Sequence, residues 1–511
     1  MSAKVIEKEK LYEKFRETTV TIDPDEAKRI NRPFTPVGKA VSVLLIISYL
    51  FAIWFFTVRG VGGMWWQLGG VMLIYLLIRQ FFALLYTPCK SELTKEYKVS
   101  AIITCFNENP SSVVSIFENI LASEHPVHEV VFLDDGSADT IAFEVAKSFA
   151  EEHQGYPGAP KFKIIRFDEN RGKRALMMDG FQIATGDYIL LIDSDSVFLP
   201  NALTELLRPF EDGKTTSVVG YIGVLNKADN FLTRLQSLTY FGCFQTGRAM
   251  QSVTGDIVVC SGAFCIHQKG FILDNLEALR YDKIFGITVS AGDDRAITTL
   301  SKMSGGKTRY QSTAYSETVV PNKMKKFMAQ RRRWQRSIYL CSLKSIKEVF
   351  PQNLWYCFWA FTGAHLLNIV VIVSVTLMLV TGERPDPWHA VIYFMILTYG
   401  QTVFYALYKP LRFLTVPIYL TVYFFIYIAI RLYTLFTLAD DNWGTRGPGA
   451  SAKELAETSP DNAESKPLSV SNANSGPITH FSLQRCLILS LALLRSTLQP
   501  LLTKIRGPTL A

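Results

Sequence analysis

At 511 residues the chain has room for one large soluble domain plus several membrane spans. An aromatic content of 13% and a mean hydropathy of +0.16 fit partial embedding in lipid. The net charge of +8 is not gathered into the single basic stripe that nucleic acid would require. It clusters before the first apolar run and around Arg331 to Arg336, where anionic headgroups or a diphosphate are better partners. Eight scattered cysteines without a Cys-x-x-Cys pair exclude a zinc ribbon and a disulfide framework.

Residues 1–39 are charged and read as a cytosolic segment, not a cleavable signal. Residues 40–58 and 60–78 are apolar and uncharged, and the second run continues to Tyr86, which predicts a helical hairpin over 40–86. Residues 95–350 alternate between buried strands (99–104, 130–133, 188–192) and helices (112–122, 141–151). That alternation predicts an α/β domain with a mainly parallel sheet, whose ligands gather at the carboxyl ends of the strands.

Residues 354–380 and 388–408 predict two further spans, joined outside by a loop carrying Glu383, Arg384 and Asp386. Residues 414–438 are apolar, but Pro417 interrupts them early and Arg431 sits among them. We read them as interfacial or re-entrant, although hydropathy alone favours a simple fifth span. The block 354–438 thus supplies transmembrane and interfacial helices, followed by a short loop over 439–447. Residues 448–479 have the composition of a disordered linker, and 480–511 read as an amphipathic or membrane helix broken by Arg485, Arg495 and Pro500.

Three acidic clusters stand out: Asp134-Asp135-Gly136, Asp193-Ser194-Asp195 and Gly292-Asp293-Asp294. The first two end predicted strands. Carboxylates on alternate residues at a strand end can hold a divalent cation, although a capped turn gives the same pattern. Asp and Gly also suit a β-turn, and Asp293 or Asp294 suits a helix N-cap. The run Gln330-Arg331-Arg332-Arg333-Trp334 would by itself read as a basic interfacial helix with a Trp anchor.

Taken in order, Asp-Asp-Gly, Asp-x-Asp, Gly-Asp-Asp and Gln-x-x-Arg-Trp resemble the processive family 2 glycosyltransferases, which include hyaluronan, chitin and cellulose synthases. The resemblance runs from about Val99 to Gly447. Segments such as Arg248-Ala249-Met250-Gln251-Ser252, Val259-Cys260-Ser261-Gly262 and Tyr310-Gln311-Ser312-Thr313-Ala314 look most like bacterial-type (class I) hyaluronan synthases. Two features depart from them. Ser261-Gly262-Ala263-Phe264 replaces the usual Ser-Gly-Pro-Leu, and the arginine pair before Trp334 is typical of chitin synthases.

The resemblance implies a GT-A fold inserted between transmembrane helices of a multi-pass protein of the cell membrane, with its catalytic domain in the cytoplasm. It implies inverting transfer from UDP-sugars to a growing polysaccharide, with Mg²⁺ or Mn²⁺ as cofactor, and membrane lipids but no nucleic acid as partners. Asp195 and Asp193 would hold the metal. Asp134, Asp135, Ser137, Asn107, Glu108, Lys173, Arg174 and Arg333 would bind the donor. Trp334, Gln330, Ser261, Gly262 and Asp293 would bind the acceptor, and Asp294 would be the base. Trp443, Thr445 and Arg446 resemble a loop that closes over nucleotide, which requires that loop to remain cytosolic. Hyaluronan, from UDP-GlcNAc and UDP-glucuronate, is the expected product. Chitin or another β-linked N-acetylglucosamine polymer is second, and a non-processive lipid-linked transferase is third.

Overall fold

The computed structural model describes residues 15–16, 22–30, scattered positions between 40 and 55, 63–280, 283–284, 287–288, 292–382 and 416–438. The expected fourth span (388–408), the loop bearing Trp443, Thr445 and Arg446, the linker and the last helix lie outside the described residues.

In the first unit, the short helix α1 (Pro24–Ile30) and α2 (Gly63–Leu85) precede an eight-stranded sheet. Strands β1 (Val99–Cys105), β2 (Glu129–Asp134), β3 (Lys161–Arg166) and β4 (Tyr188–Asp193) are parallel, in the order β3-β2-β1-β4. They alternate with α3 (Pro110–Leu121), α4 (Ile141–His153) and α5 (Lys173–Ile183). The near-continuous apolar runs of β1, β2 and β4 are buried, as helix-covered parallel strands require. Phe117 of α3 meets Phe132 of β2 and Phe149 of α4 edge-on, at 5.7 and 5.2 Å between ring centres. Gly180 lets α5 close on Ile102 and Leu133, where a Cβ would stand 2.9 Å from the Ile102 side chain.

The expectation of a mainly parallel sheet needs correction beyond β4. The order continues with β7 (Phe264–Gln268), β6 (Thr215–Val224), β10 (Lys307–Thr318) and β5 (Ser196–Phe198), and the sheet is mixed. β7 runs antiparallel to both β4 and β6, because it returns through residues 225–263 instead of a single crossover helix. β10 is parallel to β6 and antiparallel to the three-residue edge strand β5. Within β10 the register slips between Gln311 and Tyr315. Here the Tyr86 hydroxyl donates to the Tyr310 carbonyl at 2.9 Å and accepts from the Ser312 amide at 3.0 Å, docking the end of α2 on the sheet.

Helix α6 (Phe231–Phe241) passes into a π-helical segment, Gly242–Arg248. Strands β8 (Lys283–Ile284) and β9 (Ile287–Thr288) form a separate small pair. Then come α7 (Asp293–Met303), α8 (Met324–Glu348), α9 (Leu354–Thr381, with a π turn at Thr362–Leu366) and α10 (Val416–Phe436). Among the described residues α9 and Ile418–Phe436 of α10 are long and apolar enough to cross a membrane, whereas the apolar part of α2, Gly70–Leu85, is shorter. A second unit comprises 372–384 and 459–511, and its described part is the end of α9 and Gly382.

The re-entrant expectation for 414–438 is not met over the described residues: α10 is one continuous helix. Pro417 lies in its first turn, where a missing N–H leaves no bond unmade. One side of α10 is tied to α8. The Tyr427 hydroxyl donates to Gln335 Oε1 at 2.8 Å, and the Tyr339 hydroxyl donates to the Arg431 carbonyl at 3.1 Å. The buried Arg431 guanidinium donates to Asn368 Oδ1 at 2.9 Å and to the Ala364 carbonyl. The opposite side leaves Ile418, Phe425 and Phe436 exposed.

Candidate active site

Parallel pairing aligns two acid motifs. Cys105 of β1 stands opposite Asp134 and Thr104 opposite Asp193, so both motifs leave the sheet at the same edge. Between them opens a cavity of about 1440 Å³, larger than a single small-ligand pocket. Asp135, Lys173, Asp193, Asp195, Asp294 and Trp334 all line it, as do Glu108, Arg174, Ser261, Gly262, Asp293, Gln330 and Arg333. It continues between Tyr75 and Arg79 of α2, Trp359 and Ala364 of α9, and Leu420 and Tyr427 of α10.

The Asp-Asp-Gly turn divides its two acids. Asp134 is fully buried and accepts from the Ser137 amide at 3.0 Å and its hydroxyl at 2.6 Å, with Arg166 Nε at 3.5 Å. Asn107 donates its amide to Ser137 Oγ at 2.8 Å and accepts from the Ala138 amide at 2.9 Å. Asp134, Ser137 and Asn107 thus build the turn and are not among the cavity-lining residues, whereas Asp135 is. Asp135 accepts from the Arg171 and Gly172 amides at 2.7 and 2.9 Å, which fastens the basic loop 170–174 beside it. Only glycine fits at 136: its φ is +68°, and a Cβ would lie 2.8 Å from the Glu169 backbone carbon. Burial pushes the Asp135 carboxyl up to about 6, against the two amides that favour its charge.

At the second motif the Lys173 ammonium pairs with Asp193, and the Thr318 hydroxyl donates to Asp195 Oδ1 at 3.1 Å. Among the described residues no group of three or more His, Cys, Asp or Glu side chains is placed to hold a metal. The carboxylates of Asp193 and Asp195, two residues apart on the cavity wall, still fit Mg²⁺ or Mn²⁺. Such ions take one or two protein carboxylates and complete their shell from substrate phosphates and water.

Arg174 and Asp293 form a buried ion pair, their side chains 9% and 8% exposed, which joins α5 to the first turn of α7. Removing one partner of such a pair typically costs about 3–5 kcal/mol. Both residues therefore hold the walls together as well as line them. Asp294, next along, is half-buried. Burial raises its carboxyl above the usual range, with Arg295 opposing and Asp293 assisting. Gly292 at φ +88° brings this turn against Ser337 of α8, leaving no space for a Cβ.

On α8, Trp334 is 40% exposed at the cavity wall, and Gln330 Oε1 is buried without a hydrogen-bond partner. The sequence reading missed Arg331. It is 7% exposed, lines the same cavity and has no partner at Nε or Nη2. The π-helical segment was missed too. Its Arg248 is 8% exposed, donates from Nη1 to Gln251 Oε1 at 3.3 Å and leaves Nε unpaired. Of the two residues that replace the usual Pro-Leu, Phe264 is fully buried and stacked on Phe198 at 5.4 Å, so it presents no aromatic face to an acceptor, and Ala263 alone reaches the cavity.

The model of glycosyl transferase family 2 matches residues 100–272, and that of glycosyl transferase family group 2 matches residues 188–436. The hyaluronan synthase of Streptococcus pyogenes serotype M1 is 31% identical over 383 residues, 74% of this chain and 90% of its own length. An N-acetylglucosaminyltransferase of Mesorhizobium japonicum is 26% identical over 369 residues, 71% of this chain and 85% of its own. A mannosyltransferase from Pyrobaculum calidifontis, solved with GDP-mannose and Mn²⁺, superposes with a TM-score of 0.49 at 17% identity, covering 78% of this chain and 99% of that one. With acid motifs at the edge of a mixed GT-A sheet and family models matching from residue 100 to 436, the chain is a glycosyltransferase and belongs to glycosyltransferase family 2.

Proposed function

We propose that the protein is a processive polysaccharide synthase. It transfers sugars from UDP-sugars, with inversion, to a chain that leaves through its own membrane helices, and its product is hyaluronan. The observation that carries this reading is the single cavity lined both by the acid motifs and by α2, α9 and α10. A transferase that released its product after one transfer would need no such continuation.

Asp193 and Asp195 would hold the divalent ion, which when bound neutralises the departing diphosphate. Asp135 accepts a hydrogen bond from the uracil imide, while Lys173 and Arg333 stand by the phosphates. Trp334 offers a ring face to the acceptor sugar. Asp294, its basicity raised by burial, takes the acceptor hydroxyl proton as that oxygen attacks the anomeric carbon and the C–O bond to UDP breaks.

Hyaluronan is favoured over chitin by the cations deeper in the cavity. A glucuronate carboxylate excluded from water must be paired. Arg248 offers a buried, unpaired Nε, whereas Arg295, which also lines the cavity, points Nη1 at the Val258 carbonyl at 3.4 Å. Phe264, where hyaluronan synthases usually have Leu, is buried and so offers no ring face to the uncharged acceptor that chitin would need. Incubating purified protein with UDP-GlcNAc and UDP-glucuronate, singly and together, tests the reading. Long polymer that needs both donors and is cut by hyaluronan lyase is expected. A chitinase-sensitive polymer from UDP-GlcNAc alone would overturn the assignment.

A further inference from the structure

The described part of the segment before the first apolar run does not line the cavity, yet its contacts converge on the strands beside Asp195. In α1, Glu26 pairs with Lys227, which also reaches Glu317 Oε1 at 3.3 Å. Ala27 is buried in the main core and Ile22 packs against it, so α1 is seated on the domain. Glu317 is almost wholly buried and accepts from the Tyr315 hydroxyl at 2.7 Å. Its neighbour Thr318 donates to Asp195, and Glu317 and Thr318 pair with Val197 and Ser196 of β5. A second tie reaches β5 from the other side. Arg16 Nε pairs with Glu118 at 3.0 Å, and the next residue, Asn119, accepts from the Phe198 amide at 2.5 Å.

These ties matter because β5 has only three residues and sits at the end of the sheet, bonded to β10 alone. So short an edge strand has little of its own to fix the carboxylate immediately before it. A divalent ion binds well only to ligands held in place, and residues behind the ligands do the holding. The single ammonium of Lys227 between the carboxylates of Glu26 and Glu317 makes the brace electrostatic. A second cation in place of Glu26 would compete with Lys227 for Glu317 and pull on β10.

We propose that Glu26 and Lys227 are positioning residues for Asp195, so that the N-terminal segment braces the metal-binding edge of the transferase domain and tunes its affinity for nucleotide. This rests on the metal role given to Asp195 above. The test uses full-length protein in detergent and reads UDP binding by calorimetry during Mn²⁺ titration, with free Mn²⁺ followed by electron paramagnetic resonance.

Glu26→Lys should raise the Mn²⁺ concentration that half-saturates UDP binding by about three- to tenfold, the range expected when a coupled contact is lost. Glu26→Gln should raise it less, and Glu26→Asp should restore the wild-type value, all with unchanged melting temperature. If Glu26→Lys does not fold, Glu26→Gln and Lys227→Met decide. An unchanged Mn²⁺ dependence in folded variants would overturn the brace while leaving the transferase reading intact. Mn²⁺-independent UDP binding by the wild type would remove the metal role of Asp195 and the brace together.

Discussion

The guanidinium of Arg331 lies 4.5 Å from the ring centre of Trp334, one helical turn further along α8. Tyr240 and Phe327 flank the same guanidinium at 5.7 and 5.1 Å, so the cation is enclosed by rings. A sugar stacking on Trp334 would therefore meet an indole already held on one side by a charge. Arg331→Met should lower polymer synthesis by about three- to thirtyfold, matching the roughly 0.5–2 kcal/mol of a partly desolvated cation–π contact. UDP binding should stay near wild type, and Arg331→Lys should rescue poorly because an ammonium lacks the planar face. Initial rates at varied acceptor-oligosaccharide concentration, alongside UDP calorimetry, check this. A loss confined to UDP affinity would move Arg331 to the donor side.

The acid motifs should separate by ligand. Asp195→Asn should weaken UDP binding in Mn²⁺ and abolish synthesis, since it removes one of the two cavity-lining carboxylates proposed to hold the ion. Asp294→Asn should leave UDP binding largely intact and lower turnover on the order of 10²–10⁴-fold, the usual contribution of a positioned base. Near-normal turnover by Asp294→Asn would take it out of that role.

Nucleotide binding should depend on pH through Asp135. Burial pushes its carboxyl up to about 6, and protonation turns one of its oxygens into a donor and weakens its acceptance from an imide N–H. UDP affinity should be full above pH 7 and fall as the pH drops through about 6, whereas folding gains stability over the same descent because a buried carboxyl is better neutral. Asp135→Asn should bind UDP weakly at pH 7 and lose this pH dependence. Calorimetry between pH 5 and pH 8 separates the outcomes, and identical profiles for the two proteins would exclude Asp135 from uracil recognition.

Asp134 and Asp193 were legible as strand-end acids because an apolar run of strand length precedes each. Which of two adjacent acids faces the cavity was not legible. Asp134 turns inward to Ser137 and Asp135 outward to the loop 170–174, and two adjacent residues of the same type carry nothing in the sequence to tell them apart. The antiparallel β7 escaped for a similar reason: a short buried strand reads the same in either direction. Arg331 was hidden among three consecutive arginines, and only the packing of α8 buries it and leaves its Nε unpaired. The π-helical segment Gly242–Arg248 has the composition of an ordinary helix end.

Topology supplies the last prediction. α10 is long and apolar enough to cross a membrane, but apart from the Arg431 bonds to Asn368 and Ala364 of α9 its polar ties run to α8, whose sequence is strongly basic and too polar to sit in hydrocarbon. Besides the Tyr427 and Tyr339 bonds, Arg336 Nε donates to the Leu438 carbonyl at 2.8 Å, and Arg332 faces the Tyr433 ring at 5.9 Å. We predict that α10, fastened in this way to a basic helix, lies in the interface on the cytosolic side, with Ile418, Phe425 and Phe436 turned to lipid. The chain after α10 would then remain on the cytosolic side, where Trp443, Thr445 and Arg446 could meet nucleotide. A single cysteine at position 445, on a background without reactive thiols, should react with impermeant maleimide only in inverted vesicles, and one at position 384 only in intact cells. Labelling of position 445 from intact cells would make α10 a true span and remove those three residues from any part in closing over the donor.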